Sequence, residues 1–226
     1  GKGEAVCDTA MTMSRYLDGI MIRTYAHEEV EGFAEHASIP IINGLTDSLH
    51  PCQALADFFT IEEYKGTTKG LKVAFIGDGN NVSRSLMFTS AMLGSNFTIA
   101  SPEGYSLDKE SIDKAVKIGK ENGAEIKTVT SPEEAVKNAD VVYTDVWVSM
   151  GQEEEKEKRI KAFNGYQVNN DLLKIADKDV IVMHCLPAIR GYEITDEVMD
   201  GKHSVVFDEA ENRLHVQKAV MVKLMS

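Results

Sequence analysis

Residues 71–82 read LKVAFIGDGNNV, a short apolar run that passes straight into a glycine-bounded turn. Leu71–Ile76 predicts a strand, and the apolar spacing of Val82–Leu93 predicts a helix directly behind the turn. Strand, turn and helix in that order open a βα unit of a parallel sheet. The turn Gly77-Asp78-Gly79-Asn80-Asn81-Val82 invites a dinucleotide reading, but Val82 stands where that fingerprint needs its third glycine. The next strand, Phe97–Ala100, runs into Ser101-Pro102 with no acid in place for a ribose. The turn is better read as holding Asn80 and Asn81 at the switch point of the sheet, with Asn81 able to donate to a substrate carboxylate.

The same rhythm extends in both directions. Downstream, a helix near Asp108–Asn122 stops at Gly123, and strand Ile126–Val129 leads to Ser131-Pro132-Glu133-Glu134, an N-cap followed by Pro at the first helical position. Asp140–Thr144 and Val180–Met183 are nearly continuous apolar runs, as strands buried on both faces require. Gln152–Arg159 is a charge run, read by default as a solvated helix face. A last helix begins near Ala210, with Val216, Val220 and Leu224 on one stripe. Upstream come a helix near Asp8–Leu17, a strand Gly19–Arg23, a helix Glu28–His36, a strand Ile39–Ile42 and a helix Pro51–Tyr64. The polar stretch Lys65–Gly70 is the candidate boundary. The fold expected is α/β: two Rossmann-like parallel-sheet domains joined by an interdomain helix, the N-terminal one incomplete.

Composition narrows the function classes. The chain has 226 residues, 43% of them hydrophobic and 27% charged, with a net charge of -12. That charge argues against nucleic acid, whose phosphates need clustered Lys and Arg, and its plainest meaning is solubility. No apolar run approaches the roughly 20 residues that span a bilayer, so no membrane partner is expected. Cys7, Cys52 and Cys185 form no paired framework, which suits a reducing compartment. Gly1-Lys2-Gly3-Glu4 resembles no targeting peptide and reads as the interior of a longer chain.

Ligands of open parallel sheets bind beyond the carboxyl ends of the strands, so the residues just past each strand carry the functional signal. Here they are Arg23, Asn43-Gly44, Asn80-Asn81, Asp145 and His184-Cys185. Singly each has a structural reading: Asn43-Gly44 is a turn, Asp145 a cap, Cys185 a buried inert thiol. Together they suggest a cleft between two α/β halves. His50-Pro51-Cys52-Gln53 opens the interdomain helix, where free N–H groups favour an anionic or carbonyl ligand, although His50 as a mere cap and Gln53 as surface are equally compatible. A metal site from His50, Cys52, His184 and Cys185 is not expected, because the spacings lack the paired pattern of structural zinc.

The ordered set HPCQ (50–53), GDGNNV (77–82), DVWVSMG (145–151), HCLP (184–187) and AENR (210–213) resembles the ornithine carbamoyltransferase family over essentially the whole chain. The resemblance implies transfer of a carbamoyl group from carbamoyl phosphate to the δ-amine of L-ornithine, giving L-citrulline and phosphate, with no metal or organic cofactor. It implies a homotrimer or a multiple of trimers, cytoplasmic, or in the mitochondrial matrix if the source is eukaryotic. Residues 1–50 would be the remainder of the carbamoyl-phosphate-binding domain, with the helix 210–226 packing back on it. Residues 51–209 would be the ornithine-binding domain, including the interdomain helix 51–64.

By the same resemblance Arg23, His50, Gln53, Cys185, Leu186 and Arg213 would hold carbamoyl phosphate. Asn81, Asp145, Ser149, Met150 and Cys185 would hold ornithine, and Asp145, Cys185, Arg23 and His50 would carry the chemistry. Arg23, His50 and Arg213 offer positive or hydrogen-bonding density for an oxyanion and a leaving phosphate. A second substrate carboxylate, as in aspartate, would meet repulsion from Asp145, and aspartate-specific relatives typically carry HPLP rather than HCLP. The family's Ser-Thr-Arg-Thr-Arg phosphate grip does not occur in the 226 residues, so weak or no activity is expected from them alone. A non-catalytic carbamoyltransferase-like subunit and a nucleotide-binding oxidoreductase are the alternatives.

Overall fold

The computed structural model describes residues 3–149 and 151–226. The first region alternates helix α1 (Val6–Met13), strand β1 (Ile20–Arg23), helix α2 (His27–His36) and strand β2 (Ile41–Leu45). β1 and β2 pair in parallel as a two-stranded sheet with a register shift between Ile22 and Arg23. The shift lets Asn43 and Leu45 pair with Ile22 and Arg23, so Asn43-Gly44 lies inside the strand rather than forming the turn expected. Pro40 lacks an N–H to donate, and β2 begins only after it, two residues beyond the start expected.

Helix α3 (Pro51–Lys65) has Pro51 in its first turn and closes on Gly66, whose φ of 70° is the left-handed cap that glycine adopts without a Cβ penalty. The second region then runs β3 (Lys72–Ile76), α4 (Asn81–Leu93), β4 (Asn96–Ala100), α5 (Lys109–Asn122), β5 (Ile126–Val129), α6 (Pro132–Val136) and β6 (Val141–Thr144). A 3-10 turn at Glu153–Glu155 precedes α7 (Lys156–Ala162) and α8 (Asn170–Leu173); β7 (Ile181–Met183), α9 (Asp196–Met199) and α10 (Val206–Met225) complete the chain.

The five strands β3 to β7 form one all-parallel sheet in the order β5-β4-β3-β6-β7. Both faces are covered. Phe75, Phe97, Ile99, Tyr143 and Met183 pack on one side with Phe58 and Leu86, and Phe75 stacks on Tyr143 with ring centroids 5.7 Å apart. Ala74, Ile76, Val142 and Val182 pack on the other side with Val136, Leu172 and Val198.

The last helix begins four residues before the expected Ala210. Its buried residues are Val206, Glu209 and Asn212, whereas Leu224 on the anticipated apolar stripe is exposed. α10 packs along α3, and near its end Met225 Sδ lies 3.3 Å from where a Cβ on Gly19 would stand.

Candidate active site

The strand order reverses between β3 and β6, which opens a crevice beyond their carboxyl ends. Asn80 and Asp145 come from those two strand ends and meet there. Asn80 caps α4, its Oδ1 accepting from the backbone N–H groups of Val82 and Ser83 at 3.0 Å each. With its oxygen committed, Nδ2 donates to Asp145 Oδ2 at 2.7 Å. Asp145 Oδ1 accepts from Val146 N at 2.8 Å and from Cys185 Sγ at 3.3 Å. Three donors therefore hold one buried carboxylate in a fixed orientation. Burial, and then the charge of Asp145, push the Cys185 thiol well above its ordinary pKa. The sulfur stays a neutral hydrogen-bond donor at neutral pH and is not an activated thiolate.

The facing wall is built by the end of β1, the start of α3 and α10. The His50 backbone N–H donates to Ser85 Oγ at 2.7 Å, and its side chain makes no cap. Burial first, and then the Arg213 and Arg23 charges, lower its ring from 6.5 to about 4. His50 is thus neutral at pH 7, and of the positive or hydrogen-bonding density expected there it offers the second: it can hydrogen-bond an oxyanion but not pair with it as a cation. Gln53, buried on α3, accepts from Arg213 Nη1 through its oxygen and donates Nε2 to Asp57 and Glu209. Gln217, in the amide orientation that satisfies both partners, presents its oxygen to Arg213 Nε and Nη2 at 2.6 and 2.7 Å. Arg23 projects, exposed, from the end of β1. Leu186 follows Cys185 with a φ of 56° and precedes Pro187 across a cis peptide bond.

Arg23, His50, Gln53, Leu186 and Arg213 line the same cleft of about 1070 Å³ as Asn81, Asp145, Ser149 and Cys185. Asn81 spans the two walls by donating Nδ2 to Thr46 O at 2.6 Å, so one of its two amide protons is already used. Met150 lies outside the described residues. Asn43 and Gly44 do not line the cleft. His184 is fully buried with Nδ1 accepting from Leu186 N at 2.9 Å and Nε2 3.2 Å from Glu193, a hydrogen-bonded core histidine rather than a cleft residue.

Residues 69–224 match the model of the aspartate/ornithine carbamoyltransferase Asp/Orn binding domain, and residues 1–63 match that family's carbamoyl-P binding domain. The chain belongs to the aspartate/ornithine carbamoyltransferase family. It is 59% identical over 222 residues to the ornithine carbamoyltransferase of Caldicellulosiruptor saccharolyticus, covering 98% of this chain and 72% of that protein. It is 56% identical to the Pyrococcus horikoshii ornithine carbamoyltransferase, covering 99% of this chain and 71% of that one. The solved ornithine carbamoyltransferase of Pyrococcus furiosus superposes with a TM-score of 0.96 at 54% identity, over 99% of this chain and 72% of that one.

Within this carbamoyltransferase the structure adds residues that sequence reasoning missed. Arg159 ends the stretch expected to be a solvated face, yet its side chain is buried against Asp78 at 2.9 Å and Trp147 O at 3.1 Å. It ties the loop after β6 to the turn after β3, and its guanidinium lies 5.1 Å from the Tyr105 ring centre. Nothing local in a run of Glu and Lys marks one member for burial. Asn80 was expected at the switch point of the sheet but not as the cap of α4 or the partner of Asp145. Glu209 falls in the part of α10 that the expected helix start left out.

Two other readings meet structural objections. A Cβ at Gly79 would stand 2.4 Å from Ser106 C and Leu107 N. The second glycine thus serves packing against a protein loop, not the approach of a pyrophosphate. Asp145, His184 and Cys185 bring possible ligand atoms within 4.8 Å of one another. Both ring nitrogens of His184 already have protein partners, and Asp145 has three, so the donor set is spent on the protein itself. No described helix is long and apolar enough to cross a membrane.

Proposed function

We propose that this chain carries the ornithine carbamoyltransferase reaction: the δ-amine of L-ornithine attacks carbamoyl phosphate, giving L-citrulline and phosphate. The observation that supports it best is the single cleft with two chemically distinct walls. One wall offers two guanidinium groups, a neutral imidazole and a carboxamide oxygen; the other offers a fixed carboxylate, a thiol and amide donors. In this reading Arg23, His50, Gln53, Leu186 and Arg213 hold carbamoyl phosphate. Asn81, Asp145, Ser149 and Met150 hold ornithine, and Cys185 lies between the substrates. Residues 1–50 with the helix from about 210 belong to the carbamoyl-phosphate-binding domain and residues 51–209 to the ornithine-binding domain, whose Gln53 and Leu186 reach the carbamoyl-phosphate wall, and the assembly is a homotrimer or a multiple of trimers.

The chemistry follows from these groups. The neutral δ-amine nitrogen bonds to the carbamoyl carbon, and the carbonyl oxygen takes up negative charge that Arg23, Arg213 and the neutral His50 stabilise. The bond from that carbon to the phosphate oxygen then breaks, its electron pair leaving with phosphate, and the amine proton departs with it or to solvent. Asp145 pairs with the α-ammonium of ornithine, and the Cys185 thiol, a donor toward Asp145, keeps that carboxylate aimed. Burial of the thiol disfavours a covalent thioester.

Calorimetry tests the assignment. A carbamoyl-phosphate–ornithine bisubstrate analogue is expected to bind, and the aspartate counterpart to bind at least about tenfold more weakly because its second carboxylate meets Asp145. Equal or tighter binding of the aspartate analogue would refute ornithine as the substrate.

A further inference from the structure

Behind the cleft, and unused by the chemistry above, Asp57 of α3 and Glu209 of α10 face each other with no exposed surface. Neither forms an ion pair among the described residues. The nearby Arg213 is bonded to Gln53 Oε1 and Gln217 instead. Gln53 Nε2 bridges the two acids, donating to Asp57 Oδ1 at 2.8 Å and Glu209 Oε1 at 3.0 Å. Glu209 also accepts from Tyr143 OH at 2.9 Å and, through Oε2, from the His184 backbone N–H at 2.9 Å. Asp57 Oδ2 meets no donor among the described residues.

We propose that Asp57 and Glu209 are a positioning pair that holds one proton between them and thereby locks the Gln53 carboxamide with its oxygen toward Arg213 and the cleft.

Two adjacent buried carboxylates that form no ion pair, with the nearby Arg213 bonded to Gln53 and Gln217 instead, strongly disfavour double ionisation, so one keeps its proton. The donors decide which. Glu209 collects three hydrogen bonds, and Asp57 accepts its main one from Gln53, with a longer 3.4 Å approach from Tyr143 OH. The charge therefore rests on Glu209 and the proton on Asp57, which donates to Glu209. Burial, and then the charge of Glu209, raise Asp57 well above the usual carboxylate range. The other titratable groups around the pair are Tyr143, Cys185, His184 and Arg213.

With that single negative charge in place, a flipped Gln53 would aim its oxygen at two acids and its NH2 at a guanidinium, losing every bond it now makes. The unflipped amide leaves Oε1 one further lone pair for the NH2 of a carbamoyl group. The bond from His184 N to Glu209 fixes, from the same acid, the backbone that delivers Cys185.

The assignment of the carbamoyl ligand rests on the function proposed above, whereas the proton and the amide lock do not, so the test begins without substrate. Infrared spectra of the 226-residue chain at pH 7 are expected to contain the carbonyl stretch of a buried protonated carboxylic acid, and Asp57→Asn to lack it. The carboxamide that Asp57→Asn introduces can donate to Glu209 as the protonated acid does, so the Gln53 side-chain amide protons, followed by 15N NMR, should stay protected from solvent exchange. Glu209→Gln should expose them. Where carbamoyl phosphate binds, Glu209→Gln should weaken it about tenfold and Asp57→Asn less than about twofold. Absence of the protonated-acid band in the unmodified chain would overturn the shared proton. Loss of Gln53 protection in a folded Asp57→Asn, or its retention in a folded Glu209→Gln, would overturn the lock. Both spectroscopic results stand whether or not the chain transfers carbamoyl groups.

Discussion

Val141–Thr144 in the five-stranded sheet is buried along its whole length, whereas Ile20–Arg23 in the two-stranded sheet alternates between half-buried and exposed. Both are short apolar strands in parallel pairs followed by chain that returns over the sheet. Their own residues do not explain the difference, because Ile20, Ile22, Ile41 and Ile42 are as apolar as anything in β6. Neighbours explain it: β6 lies between β3 and β7 with layers on both faces, while among the described residues β1 has only β2 beside it. A parallel strand acquires its core from what surrounds it, and two strands alone do not supply one.

Stability should divide the regions most sharply. Phe75→Ala removes a fully buried ring stacked on Tyr143 and should cost about 3–5 kcal/mol in urea unfolding. Ile22→Ala in the half-buried β1 should cost only about 1 kcal/mol, and amides of β1 and β2 should exchange with deuterium earlier than those of β3 and β6. Equal losses at the two positions would break the comparison.

His50, where the regions join, gives a pH lever. Its folded pKa of about 4 lies below the unfolded 6.5. The unfolded chain binds a proton that the folded chain refuses, so this contribution is complete above pH 6.5 and falls as pH drops toward 4. At most about 3 kcal/mol is at stake, and His50→Gln should flatten the slope of unfolding free energy against pH across that window. A slope unchanged in the variant would remove the imidazole from the buried junction.

Catalysis should expose the same asymmetry. The 226 residues contain no Ser-Thr-Arg-Thr-Arg run, so citrulline formation by them alone should be at least about a hundredfold below that seen when a segment bearing that run is supplied in trans. A full rate from the 226 residues would show that Arg23, Arg213 and His50 suffice. On the opposite wall, Asp145→Asn should weaken ornithine binding about tenfold in calorimetry while leaving carbamoyl phosphate nearly unaffected. Equal weakening of both ligands would mean that the two walls act as one.

Much of the fold was legible because its signals are local. Asn80, Asp108 and Ser131 cap the helices behind them through side-chain bonds to backbone N–H groups two or three residues on. Gly66, Gly94 and Gly123 close helices in left-handed conformations that glycine alone adopts freely. Of the polar residues picked out past strand ends, Arg23, Asn80, Asn81, Asp145 and Cys185 line the cleft, whereas Asn43 and His184 are taken up by the strand and the core. Burial of Arg159 within a charged helix, the strand placement of Asn43-Gly44 and the early start of α10 were not legible, because each depends on what another segment places alongside.

The sequence by itself therefore determined the alternation of strands and helices, their stops, and the residue types available for carbamoyl transfer. Tertiary structure decided which of them meet. Asn80 and Asp145 are 65 residues apart in the chain, and Gln53 and Glu209 are 156 apart. Capping bonds form within one turn of the backbone, but these contacts exist only once a whole sheet has closed its loops and excluded water. Only then does burial make a histidine neutral, a thiol inert and two acids share a proton.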